Sequence, residues 1–171
     1  AGERALQLES VAVDDLLEQT AARFARRATH NGIRLRVGER TPGILHADRA
    51  CMHRMLDNLV DNALRFTPRG GEIRLAAWAA EDGVVLEVSD TGDGMSEEQL
   101  SRLSQPFALS DAAFTRSHSG VGLGIAISRA IAEISGGRLA IDSRINVGTT
   151  VAISLPLEAD ARPRSDLAQA A

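Results

Sequence analysis

The chain has 171 residues, 19 Lys and Arg against 23 Asp and Glu, and a net charge of -4; every basic residue is Arg and Lys is absent. A P-loop needs a Lys on its phosphates, a eukaryotic-type protein kinase needs a strand Lys and a Schiff-base enzyme needs a Lys amine, so all three chemistries are excluded. Aromatic residues make up only 3%, with no Tyr, which leaves little for base stacking, and the mild acidity argues against a nucleic-acid surface.

The length suits one domain, which buries roughly 70% of its unfolded surface. The single Cys51 rules out an internal disulfide and sits in an apolar helical pattern as a small core residue. Nothing reaches the ~18 apolar residues of a membrane span; residues 121–134 come nearest and are broken by Arg129 and Glu133. With no signal peptide and no initiator Met, the chain reads as part of something longer.

Residues 13–30 form an amphipathic helix, with Asp14 and Asp15 near its start, an apolar stripe of Leu16, Leu17, Ala21, Phe24 and Ala28, and Asn31-Gly32 at its close. Arg23, Arg26 and Arg27 are expected on its solvated face. Ile33, Leu35 and Val37 alternate with arginines as a half-buried strand, and 44–46 is a short strand after a Thr-Pro-Gly turn. Residues 49–66 are a second helix, with Met52, Met55, Leu56, Leu59, Val60 and Ala63 on one buried face. Strands at 72–79 and 84–89 follow, then a short helix at 96–103 with Ser96 as N-cap. Residues 104–120 lack periodicity, and loops this long are functional or disordered. A third long helix spans 121–135, closing strands run over 138–142 and 149–155, and 159–171 reads as a disordered tail. The turns between strand pairs are too short for crossovers. The expected fold is therefore α+β: a two-layer sandwich, with a mixed, mostly antiparallel sheet of about five strands covered on one face by three long helices.

Three features carry chemistry. Asn58, Asn62 and Arg65 fall within about 60° of one another on the second helix, opposite its apolar face. They are either a solvated polar stripe or a site for something anionic, and Asn is a poor helix former. Asp90-Thr91-Gly92-Asp93-Gly94 follows an apolar strand. It is either an ordinary turn or a carboxylate placed to accept from an exocyclic amine, with glycines letting a ligand approach the backbone. Gly120, Gly122 and Gly124 bare backbone N–H groups at a helix start, a ready site for phosphate.

In order and spacing the three together resemble bacterial sensor histidine kinases. Residues 58–67 (Asn-Leu-Val-Asp-Asn-Ala-Leu-Arg-Phe-Thr) look like the N box of that family, 90–94 like its first glycine box and 120–124 like its second, and Gly136-Gly137 and Gly148-Thr149 fall where the family has them. The resemblance covers 8–156 and implies the catalytic ATP-binding domain shared with gyrase, the heat-shock chaperones and mismatch-repair ATPases. It implies that Asp90 receives the adenine amine, with Gly92 and Gly94 shaping that turn, and that Thr149 supports the base through water. Asn62 ligates Mg²⁺ on the phosphates. Asn58 and Arg65 are the positions assigned to phosphoryl transfer, and Gly120, Gly122, Leu123 and Gly124 cradle the phosphates.

The resemblance also makes 104–119 a mobile ATP lid, in which Pro106-Phe107 remains of the usual Phe motif, Phe114 is a second anchor, and Arg116 and His118 are candidates for phosphate contact. Its ATP-hydrolysing members carry a Glu where this chain has Asn58, which cannot act as a base. The implied activity is γ-phosphoryl transfer to a His on a separate dimerisation hairpin, with a response regulator as the indirect partner. No direct membrane contact is expected, and the setting is the cytoplasmic side of a sensor. None of His30, His46, His53 and His118 has the phosphoacceptor pattern, so the expected division is a linker remnant at 1–7, the catalytic domain at 8–156 and the tail at 157–171. An anti-sigma-factor serine kinase and a nucleotide-binding module without transfer activity are the alternatives.

Overall fold

The computed structural model describes residues 5–104 and 121–157. In chain order the elements are β1 (Leu8–Ala12), α1 (Val13–Asn31), β2 (Arg34–Val37), β3 (Ile44–Asp48), α2 (Arg49–Phe66), β4 (Glu72–Ala80), β5 (Gly83–Asp90), α3 (Glu97–Ser104), α4 (Val121–Ile134), β6 (Arg138–Arg144) and β7 (Gly148–Pro156). Five strands make one mixed sheet in the order β2-β4-β5-β7-β6. Only the β2–β4 pair is parallel, so the sheet is mostly antiparallel, as the short turns predict.

One strand was not legible in advance. Leu8–Ala12 pairs antiparallel with β3 in a separate two-stranded ribbon, so the 44–46 strand is not a member of the main sheet. The ribbon buries Val11, Leu45 and Ala47, while Leu8 and Ile44 stay exposed. Three buried side chains in ten residues are too few to give a period.

Strand alternation drives Ile73, Leu75, Ala77, Val84, Leu86, Val88, Val151 and Ile153 to the same face, where α1, α2 and α4 cover them. Leu16, Leu17, Met52, Met55 and Leu56 are fully buried between these layers, each adding roughly 1.5–3 kcal/mol of transfer free energy. On α1 the buried set includes Thr20, and Ala21 and Phe24 are only partly covered. Cys51 likewise lies against the core, partly covered.

The α2 start has a cap that the sequence reading passed over. The Asp48 side chain accepts from the N–H groups of Gln7 (2.9 Å) and Cys51 (3.0 Å), tying β1 to the helix. These two bonds hold its carboxyl below the usual carboxylate range. Arg23, Arg26 and Arg27 are exposed as expected, and Arg23 and Arg27 also reach across to Asp57 and Asp61 of α2, each at 2.5 Å. Both pairs are solvent-exposed and contribute little; the buried face of α2 sets its rotation.

Candidate functional site

β5 ends at Asp90, directly opposite Thr149 of β7. Asp90 continues the inward series of Val84, Leu86 and Val88, so its side chain faces the helical layer. Its Oδ1 accepts from the Gly92 N–H at 2.8 Å, and the Thr149 backbone N–H donates to the same carboxyl. Burial is the largest influence and raises the Asp90 carboxyl above its ordinary value, with Asp93 adding to it and the two backbone donors opposing it. The result is a partly desolvated acceptor at a strand end.

The glycines after Asp90 are demanded by close approach. A Cβ on Gly92 would stand 2.7 Å from the Phe66 carbonyl oxygen, and one on Gly94 would stand 2.0 Å from that of Arg144. Gly94 also has φ +67, a left-handed backbone. The loop is tied to α2 through Asp93 N–H to Phe66 O (3.1 Å), and to the β6–β7 hairpin through Asn146 N–H to Asp93 O (2.8 Å).

Above this loop lies a cavity of about 260 Å³. Of the predicted site residues, Asn62, Asp90, Gly94 and Thr149 line it together. Leu59, Phe66, Met95, Leu103, Ile125 and Val151 make the rest of the wall mostly apolar. An apolar slot with a carboxylate at its end suits a flat heteroaromatic ring bearing an amine.

Asn58 and Asn62 do not form a stripe turned to solvent, the first of the two readings that their spacing left open. Both are half-buried, because α4 crosses α2 on that side, and both Nδ2 atoms are buried without a partner. A Cβ on Gly124 would meet Asn62 Nδ2 at 3.6 Å and Asn58 Cβ at 3.7 Å. The first turn of α4, which contains Gly122, therefore stands over the two amides. An unpaired buried donor costs roughly 1–3 kcal/mol. Two of them beside the N–H groups of a helix start make a polar recess that suits an anionic group. Mg²⁺ fits the same recess: it keeps several waters and takes phosphate oxygens, so the Asn62 amide oxygen suffices on the protein side. Among the described residues no group of three His, Cys, Asp or Glu could hold a metal ion by itself.

The remaining expectations are less concentrated. Arg65 is partly exposed, pairs with Asp61 at 3.5 Å and is not among the cavity-lining residues; nor is Asn58. The Leu123 side chain is exposed. Gly120 and the lid, with Pro106, Phe107, Phe114, Arg116 and His118, lie outside the described residues. Sequence reasoning missed Gln99 and Arg102 of α3, which also line the cavity. It missed Arg129, whose Nη1 donates to the Leu103 carbonyl at 2.6 Å and so braces α3 against α4. Ser143 was missed as well; its Oγ accepts from the Met95 N–H at 2.9 Å. The one prior signal among these was Ser96 with Gln99 three residues on. They form a reciprocal capping box: Gln99 N–H to Ser96 Oγ at 3.2 Å, Ser96 N–H to Gln99 Oε1 at 2.9 Å.

Residues 47–159 match the model of the histidine kinase-, DNA gyrase B- and HSP90-like ATPase family. The chain belongs to this family. The match takes in every cavity residue named above and leaves β1 and α1 outside it. A histidine protein kinase of Caulobacter vibrioides, DivJ, is 41% identical over 81% of this chain and 24% of its own length. A sensor-like histidine kinase of Rhizobium meliloti is 34% identical over 99% of this chain and 33% of its own. The chain thus spans about a quarter to a third of these relatives.

Among solved structures, the mycobacterial sensor histidine kinase MprB superposes with a TM-score of 0.73 at 26% identity, covering 89% of this chain and 99% of that one. Full-length ShkA in complex with AMPPNP superposes with a TM-score of 0.78 at 27% identity, over 94% of this chain and 33% of that one. The five-stranded mixed sheet packed against helices is the architecture of histidine kinase ATPase domains. Among the described residues, no helix is long and apolar enough to cross a membrane.

Proposed function

We propose that this domain binds Mg-ATP and supplies the γ-phosphoryl group to a histidine on a separate dimerisation domain, as part of two-component signalling. The observation that carries the reading is the pairing of a partly desolvated Asp90 at one end of an apolar cavity with two orphaned asparagine amides near the start of α4. One end suits an aminopurine and the other suits a polyphosphate. The names of the curated relatives, histidine and sensor kinases, and the AMPPNP complex of ShkA support it.

In this reading Asp90 accepts from the base amine, and Thr149 helps to seat the ring. Gly92 and Gly94 let the loop close under the ring. The Asn62 amide oxygen holds Mg²⁺, which supplies charge neutralisation on the phosphates when bound. Backbone N–H groups at the start of α4, around Gly122 and Gly124, face the phosphates. Asn58 has no basic lone pair at neutral pH, so it leaves water unactivated and keeps the phosphoryl group for an imidazole nucleophile. Transfer is then a matter of positioning and electrostatics. Arg65, held by Asp61, lies one turn beyond Asn62 on the same helix and is the cation nearest in sequence to the phosphate end.

The test is transfer in trans. The 171-residue chain is mixed with radiolabelled ATP, Mg²⁺ and the histidine-bearing hairpin of one of its curated relatives. Label on the hairpin, lost under acid and absent with Asp90→Ala, supports the reading. Nucleotide binding without label transfer to any such hairpin favours a binding module, and label on a serine favours the serine-kinase alternative.

A further inference from the structure

The hydroxyl of Ser143 meets three partners at once. It accepts from the Met95 N–H (2.9 Å), it lies 3.2 Å from the Gly148 carbonyl oxygen, and it lies 2.8 Å from Thr149 Oγ1. A serine hydroxyl has one proton and two lone pairs. Met95 takes one lone pair, and the Gly148 carbonyl can only receive the proton. The Thr149 hydroxyl must therefore give its own proton to the second lone pair of Ser143. Thr149 lines the cavity beside Asp90, and with its proton given to Ser143 its hydroxyl has only lone pairs left to offer there.

We infer that Ser143 is a positioning residue for base selection: it fixes the Thr149 hydroxyl as an acceptor, so that Asp90 and Thr149 together present only acceptors to the edge of a purine. This rests on the proposed adenine-nucleotide site and deepens it. Aimed at position 6, the two acceptors are both satisfied by the two N–H donors of a 6-amino group, whereas a 6-oxopurine sets an oxygen against them. Without Ser143 the Thr149 hydroxyl rotates freely, donates into the cavity and tolerates the oxo group. A second link, from the Met95 N–H to Ser143, holds the loop after Gly94 against β6.

The experiment measures ADP and inosine diphosphate binding by calorimetry for the native chain, Ser143→Ala, Ser143→Thr, Thr149→Val and the double variant Ser143→Ala/Thr149→Val. Thermal unfolding is followed alongside to show that each variant is folded. Ser143→Ala should weaken ADP about five- to tenfold and inosine diphosphate by less than twofold, narrowing the preference between them. Ser143→Thr should restore the preference, and Ser143→Ala should add nothing once Thr149 is Val. Equal losses for both nucleotides, or losses that add in the double variant, would give Ser143 a merely structural role and overturn the inference. A native chain that binds ADP while Ser143→Ala binds it unchanged overturns the inference and leaves the adenine site standing. A native chain that does not bind ADP overturns both.

Discussion

Gly94→Ala puts a methyl group where the Arg144 carbonyl stands. Two costs add. The left-handed backbone at φ +67 costs a non-glycine residue about 1–2 kcal/mol. A Cβ 2.0 Å from a backbone oxygen cannot be relieved by a rotamer change, so the loop or the β6–β7 hairpin must move. That movement strains Asn146 N–H to Asp93 O (2.8 Å) and Met95 N–H to Ser143 Oγ (2.9 Å), each worth about 0.5–1.5 kcal/mol. The sum is about 2–5 kcal/mol, or a fall in Tm of about 4–20 °C for a domain of this size.

Gly70→Ala is the control. It has φ +88 with nothing within 4 Å of the added Cβ, so it carries only the backbone cost, about 2–8 °C in Tm. Calorimetric unfolding of both variants, with ADP titrations, separates the two contributions. Gly94→Ala should unfold earlier than Gly70→Ala and lose ADP affinity, while Gly70→Ala keeps it. Equal Tm values with ADP affinity intact in both would refute the close-approach reasoning.

Asn62→Ala should leave Tm near the native value, because its Nδ2 is unpaired, yet abolish the gain in ADP affinity on adding Mg²⁺; calorimetry with and without the ion checks this. Arg129→Met removes the donor to the Leu103 carbonyl and should speed hydrogen exchange across α3 while the exchange of β5 is unchanged. His53 is held below the usual 6.5, first by burial and then by the Arg23 charge, partly offset by Asp57. Protonation is thus harder in the folded chain than in the unfolded one. The stability contributed is fully present above 6.5 and is lost as pH falls through and below that value. His53→Gln should flatten the fall in stability as pH drops below 6.5 in urea titrations.

The three long helices could be read from spacing because each buries one continuous face. Met52, Met55, Leu56, Leu59, Val60 and Ala63 are all inside, as their period predicts. Asp90 and Thr149 could be read through the resemblance, and strand register then sets them face to face. What escaped depends on partners far along the chain. The spacing of Asn58 and Asn62 left a solvated stripe and a ligand site both open, and it is the crossing of α4 that takes them out of solvent; Arg23 and Arg27 are exposed as expected, but their partners Asp57 and Asp61 come from α2. β1 buries only Val11 completely and exists because β3 lies alongside it. The bond from the Met95 N–H to Ser143 and that from Arg129 to the Leu103 carbonyl join residues 48 and 26 positions apart, and no local pattern marks them.

The central claim is that the half-buried carboxylate of Asp90 receives the amine of an adenine nucleotide, and ADP binding to Asp90→Ala tests it most directly. Removing the charge removes a charge-assisted bond worth roughly 1.5–3 kcal/mol, an affinity loss of about 10- to 150-fold. Calorimetry in the presence of Mg²⁺ should register tight ADP binding by the native chain and weak or absent binding by the variant, with both folded. An affinity within twofold of native would contradict the account.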